Sequence, residues 1–102
     1  MSIILTVQSV GSRRRTNVKY RLAISKNDYK NFFSDAEAVI IILEGTEISC
    51  SLPTEQCPEL YHFKIDEWIK RNRFHLYPNR KPTKLQFNIH KVANRVIVQY
   101  LG

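Results

Sequence analysis

No stretch of this chain approaches the ~20 consecutive apolar residues that a bilayer-spanning helix needs. The longest apolar run, Ala38-Val39-Ile40-Ile41-Ile42-Leu43, is rich in β-branched side chains and reads as a buried strand, so no membrane partner is expected. Glycine (3) and proline (4) are scarce, which excludes collagen-like and low-complexity chains. A glycine-rich phosphate loop and a G-x-S-x-G nucleophile elbow are both missing. Only two cysteines occur, Cys50 and Cys57, and the three histidines, His62, His75 and His90, lie in separate segments. No Cys/His spacing resembles a zinc site, and no metal or other cofactor is expected. Met1 to Val7 lacks the basic stretch and small-residue cleavage site of a secretory signal. The expected compartment is therefore the cytoplasm, with both thiols reduced.

Acid is missing from both ends of the chain. Residues 1 to 25 hold Arg13, Arg14, Arg15, Lys19 and Arg21 and no Asp or Glu. Residues 68 to 102 hold Lys70, Arg71, Arg73, Arg80, Lys81, Lys84, Lys91 and Arg95, again without an acid. Between them, residues 44 to 67 carry Glu44, Glu47, Glu55, Glu59, Asp66 and Glu67 against the single base Lys64. The whole chain has a formal net charge of +7. If the two ends pair in space, one face becomes strongly positive and another negative, a distribution suited to a polyanion on one side.

What the sequence does hold is period-two alternation. At 102 residues and 43% hydrophobic, the chain is long enough for one domain with its own core, spanning residues 1 to 102. Val18, Tyr20, Leu22 and Ile24 alternate with Lys19, Arg21, Ala23 and Ser25, the pattern of a half-buried strand. Residues 48–52, Tyr61 to Ile65 and Leu85 to His90 repeat it, and Arg95 to Leu101 reads as a last, more fully buried strand. With Ile3 to Val10 and Ala38 to Leu43 the count is about seven. For a domain of this size that predicts a mainly β fold, an open or closed pseudobarrel that hides its edges.

Helical signals are short. Ser25 and Asp28 form a capping box ahead of Lys26 to Phe33, with Tyr29 and Phe32 or Phe33 turned inward. Asp66 to Asn72 places acids first and bases last, which suits a helix dipole, with the N-cap at or just before Asp66 and with Ile65, Trp68 and Ile69 on the buried side. Tight turns are expected at Glu44-Gly45 and at Lys91 to Asn94.

Two loops carry candidate binding residues. Ser12, Arg13, Arg14, Arg15, Thr16 and Asn17 join the first two strands, followed by Lys19 and Arg21 on the polar side of the second. Consecutive guanidinium groups suit phosphates and guanine edges, because each planar fork donates two parallel hydrogen bonds. The segment Lys70 to Lys84 mixes Arg71, Arg73, Arg80, Lys81 and Lys84 with Asn72, His75 and Asn79, and Pro78 and Pro82 stiffen it. Such a mixture can hold phosphates and read base edges, although Phe74, Leu76 and Tyr77 can also be core. The acidic Pro53 to Glu59 loop reads as solvated.

Catalytic patterns are weak. Asp66 and Glu67 with Lys70 do not fit the spacing of a metal-nuclease E-x-K element and read better as helix-start acids. A metal-free ribonuclease built on His75, Tyr77 and a nearby arginine is the remaining catalytic alternative.

The order of two strands, a short helix entered through Leu22-Ala23-Ile24-Ser25-Lys26 and ending at Phe32-Phe33, a hydrophobic hairpin, another strand, a second helix and a closing hairpin resembles the B-three DNA-binding pseudobarrel family. That family includes plant transcription-factor domains and recognition domains of bacterial restriction endonucleases. The resemblance implies a reader of double-stranded DNA that grips the major groove with two arms, the first at the position of Ser12 to Asn17. The second arm follows the family's central hairpin. Here this chain departs from the pattern, placing the acidic Pro53 to Glu59 loop and only then the basic Arg71 to Lys84 stretch.

The expected function is binding of double-stranded DNA without catalysis, as a recognition module of the kind found in restriction-type enzymes. The rivals are a small basic protein that meets an acidic protein partner and, third, the ribonuclease. A small-molecule ligand is not expected.

Overall fold

Ile3, Leu5 and Val7 turn inward while Ile4, Thr6 and Gln8 face outward, so the first segment is a strand with one side in the core. The computed structural model describes residues 1–10, 18–78 and 80–101. Among them the chain forms β1 (Ser2–Ser9), β2 (Tyr20–Ala23), α1 (Lys26–Asp28), β3 (Ala38–Leu43), β4 (Thr46–Cys50), β5 (Glu59–Leu60), α2 (Phe63–Arg71), β6 (Lys84–Val92) and β7 (Arg95–Tyr100). A π-helical turn over Tyr29–Phe33 extends α1.

The strands make one sheet in the order β4-β3-β7-β6-β1-β2-β5, nearly closed into a barrel. Every neighbouring pair is antiparallel except β3 and β7, which run parallel. The two ends of the chain do pair: Ser2 to Thr6 of β1 lie opposite Asn88 to Lys84 of β6. At the β3–β4 hairpin Glu44 and Gly45 both adopt left-handed backbone, with φ of 50° and 83°, the requirement of the tight two-residue turn expected there. The closing hairpin turns through Ala93, at φ 57°, and Asn94.

The inward faces meet in one continuous core, where Trp68, Phe87, Leu5, Leu22, Ile41 and Val98 are fully buried. Trp68 lies on the buried side of α2 as its spacing with Ile65 and Ile69 requires, ringed by Phe74, Phe87 and Tyr100 with centroids 4.9–6.4 Å away. The Ser25 hydroxyl caps α1 by accepting from the Asp28 backbone N–H at 3.2 Å, and Phe33 closes over the core.

Three expectations need correction. Tyr61 to Ile65 is not a strand: β5 stops at Leu60 and α2 begins at Phe63, with His62 as N-cap, its Nδ1 accepting from the Lys64 N–H. The apparent alternation misleads because Phe63 is exposed, whereas Ile65, Trp68 and Ile69 form a helical stripe that buries better. Asp66 therefore stands inside the helix, buried, not at its cap. Glu59 is not a solvated loop acid but a buried strand residue, so two of the six carboxylates of the acidic segment are withdrawn from solvent.

Neither cysteine is in a disulfide. Burial pushes the Cys50 thiol up to about 12, whereas Cys57 is exposed. Iodoacetamide at pH 8 should therefore alkylate Cys57 faster than Cys50 by more than about a hundredfold, because only thiolate reacts. Mass spectrometry of peptides over time checks this, and equal rates would contradict the burial of Cys50.

Candidate nucleic-acid interface

Because β1 and β6 pair while β5 leads directly into α2, one end of the barrel collects the end of β1, the start of β2, α2 and the α2–β6 connection. Five contacts tie these pieces together. The Val10 N–H donates to the Lys19 carbonyl at 2.9 Å, and the Val7 N–H to the Thr83 carbonyl at 2.8 Å. The Asp66 carboxylate accepts from the backbone N–H groups of Lys19 and Tyr20 at 2.8 and 2.9 Å. Finally, the His75 ring packs on Tyr20 with centroids 5.1 Å apart. The roots of the two basic stretches thus share one end of the molecule.

Ser12, Arg13, Arg14, Arg15, Thr16, Asn17 and Asn79 lie outside the described residues. Of the remaining candidates, Lys19, Arg73, Arg80, Lys81 and Lys84 are exposed and have no acidic partner among the described residues. Arg71 approaches Glu44 at 3.7 Å, both exposed, a pairing worth little in water. Asn72 is engaged by the fold: its side-chain amide donates to the Trp68 carbonyl at 2.9 Å at the end of α2. His75 is half-buried, with Nδ1 unpartnered among the described residues. Phe74 and Tyr77 pack on the core, but Leu76 is exposed.

Arg21 differs from these. It faces outward opposite Gln8, and its guanidinium bonds both Gln8 Oε1, at 3.0 Å, and Glu59 Oε2. On the same outer surface Thr6, Gln8, Ala23 and Lys84 line a shallow groove across β1 and its neighbours. Sequence reading missed three residues here: Asp66, Glu59 and Gln8. For Asp66 the only signal is its i, i+4 relation to Lys70, whose ammonium lies 2.9 Å from it. Nothing in the sequence marks Glu59 or Gln8 as partners of Arg21.

The backbone singles out Arg73. It follows the C-cap of α2 with φ 59°, while the Arg73 N–H bonds the Lys70 carbonyl and the Phe74 N–H the Ile69 carbonyl, each at 3.0 Å. This is a Schellman ending, where the left-handed residue is usually glycine because a Cβ there is strained. Arg73→Gly should raise stability by about 1 kcal/mol. If Arg73 contacts phosphate, the same change should weaken duplex binding about tenfold, the cost of one charge-assisted hydrogen bond. A urea melt and a duplex titration of the single variant test both halves, and a variant that gains stability without losing affinity would free Arg73 from the interface.

No group of three or more His, Cys, Asp or Glu among the described residues is placed to hold a metal ion. No helix among them is long and apolar enough to cross a membrane. Compared with protein-family models, curated proteins and solved structures, the chain matches none.

Proposed function

We propose that this domain binds double-stranded DNA through its basic end and the adjoining outer face of β6, β1 and β2, acting as a recognition module in the cytoplasm. The observation that carries the reading is the convergence of the two acid-free stretches: Asp66 holds the root of one against α2, from which the other departs. Lys19, Arg73, Arg80, Lys81 and Lys84 supply uncompensated charge for phosphates, with Arg13 to Arg15 adding to it. Oriented polar groups on the neighbouring strands supply the chemistry for base edges. The element order, strand–strand–helix–hairpin–strand–helix–hairpin, supports the likeness to B-three domains, in which a β1–β2 arm enters the major groove.

The test is a competition titration with duplex DNA, single-stranded DNA and RNA of matched sequence and length. Duplex DNA is expected to bind tightest and to survive incubation with magnesium or manganese intact. Preference for RNA, with cleavage abolished by His75→Ala, would replace this reading with the ribonuclease. Failure to bind any nucleic acid would favour an acidic protein partner.

A further inference from the structure

We propose that Arg21 reads a guanine edge in the major groove, with Glu59 and Gln8 as the positioning residues that hold its guanidinium in place. The inference rests on the duplex-binding reading and assigns the task of recognition within it. The other candidate cations at this end are exposed, and long unanchored side chains neutralise phosphates without fixing register to a base. Arg21 is anchored. Its strand neighbour Leu22 is fully buried, which turns Arg21 to the outer face between β1 and β5. From there Nη1 donates to Glu59 and Nη2 to Gln8, so the planar fork is held from both flanking strands.

The chemistry of the pair suits reading better than clamping. Glu59 is only 7% exposed and already carries the opposite charge, so Arg21 has little net charge to offer a phosphate. One N–H on each terminal nitrogen is spent inside the protein and one remains on each. Two parallel donors are what a bidentate contact to guanine O6 and N7 uses. The Arg21 side chain is 26% exposed, open to a partner and yet restrained. A first contact that is preoriented by supporting hydrogen bonds loses less entropy on binding and discriminates more sharply. Gln8, opposite Arg21 in the strand register, also lines the groove with Thr6 and Lys84, which places the fork beside a surface open to a base-pair edge.

The experiment is selection from a duplex library with a randomised stretch, sequenced after binding to the parent, Arg21→Lys, Glu59→Gln and Gln8→Ala proteins, with salt slopes measured alongside. The parent should select at least one fixed guanine. Arg21→Lys keeps the charge opposite Glu59 and should leave the salt slope unchanged, while discrimination at that one position falls by about tenfold. Glu59→Gln should relax the same position and steepen the salt slope by about one unit, since a released cation can take up a phosphate. Gln8→Ala alters a half-buried outer-face residue without unpairing a buried charge, so it carries the test if either other variant fails to fold. An unaltered guanine preference in Arg21→Lys and Gln8→Ala would overturn the proposal. Selection of no sequence by a parent that still binds duplex would also overturn it and leave the DNA-binding reading intact. A parent without duplex binding would defeat both.

Discussion

Asp66→Ala is expected to destabilise the domain by about 3–5 kcal/mol, because it leaves two part-buried backbone N–H donors without their acceptor. Asp66 is 4% exposed and its carboxylate accepts the backbone N–H groups of Lys19 and Tyr20 at the start of β2. Removing it leaves those donors without partners at about 1–3 kcal/mol each. The Lys70 ammonium contributes less, because its side chain is 43% exposed and water replaces the carboxylate. Against a total stability of about 5–15 kcal/mol for a typical domain, the loss is a large fraction. Asp66→Asn keeps one acceptor oxygen and should cost roughly half as much. The midpoints of urea denaturation for the three proteins measure this, and an unchanged midpoint for Asp66→Ala would mean that the root of β2 does not depend on α2.

The second large effect is on binding. If about five phosphates are neutralised by the two basic stretches together, raising salt from about 50 to 200 mM should weaken duplex binding about 500-fold. Arg13, Arg14 and Arg15 replaced together by Ala should flatten the dependence by about two to three contacts. The combined Arg73, Arg80, Lys81 and Lys84 alanine variant should remove the remainder by the same rule. Glu55→Gln should leave affinity unweakened, because Glu55 lies in the exposed bend before β5, beside Lys26 and Lys30 and not beside the basic end. Glu59 belongs to a different class of substitution, since its carboxylate is buried against Arg21. Titrations of each variant at several salt concentrations separate these contributions, and an arginine triple variant with the parent's slope would exclude the first stretch as an arm.

Much of this architecture is legible before folding wherever one physical signal acts alone. Ile3, Leu5 and Val7 alternate with outward residues and have no competing pattern, so β1 can be read directly, whereas β7, expected to be more fully buried, fully buries only Val96 and Val98. Ser25 and Asp28 mark the start of α1 because a hydroxyl three residues before a free N–H is a local interaction. Where two periods overlap, reading fails. Tyr61, Phe63 and Ile65 alternate like a strand, but tertiary burial of Ile65, Trp68 and Ile69 selects a helix instead. The charge blocks leave open whether the two basic ends meet, and it is β1–β6 pairing that brings them together. What no local pattern can show is which charges are spent inside the fold. In sequence Asp66 looks like a helix-start acid and Glu59 like a solvated loop acid, and their partners stand 46 to 47 and 38 residues away.

The central claim is that the converged basic end holds duplex DNA by its phosphates. Its most direct test is the affinity of the parent protein for a duplex of mixed sequence, measured by fluorescence anisotropy across a range of salt. The account predicts a straight line of log affinity against log salt with a slope near −4.5, about five contacts at ~0.9 each. A slope near zero, or no measurable duplex binding at about 50 mM salt where counterion release is strongest, would contradict it.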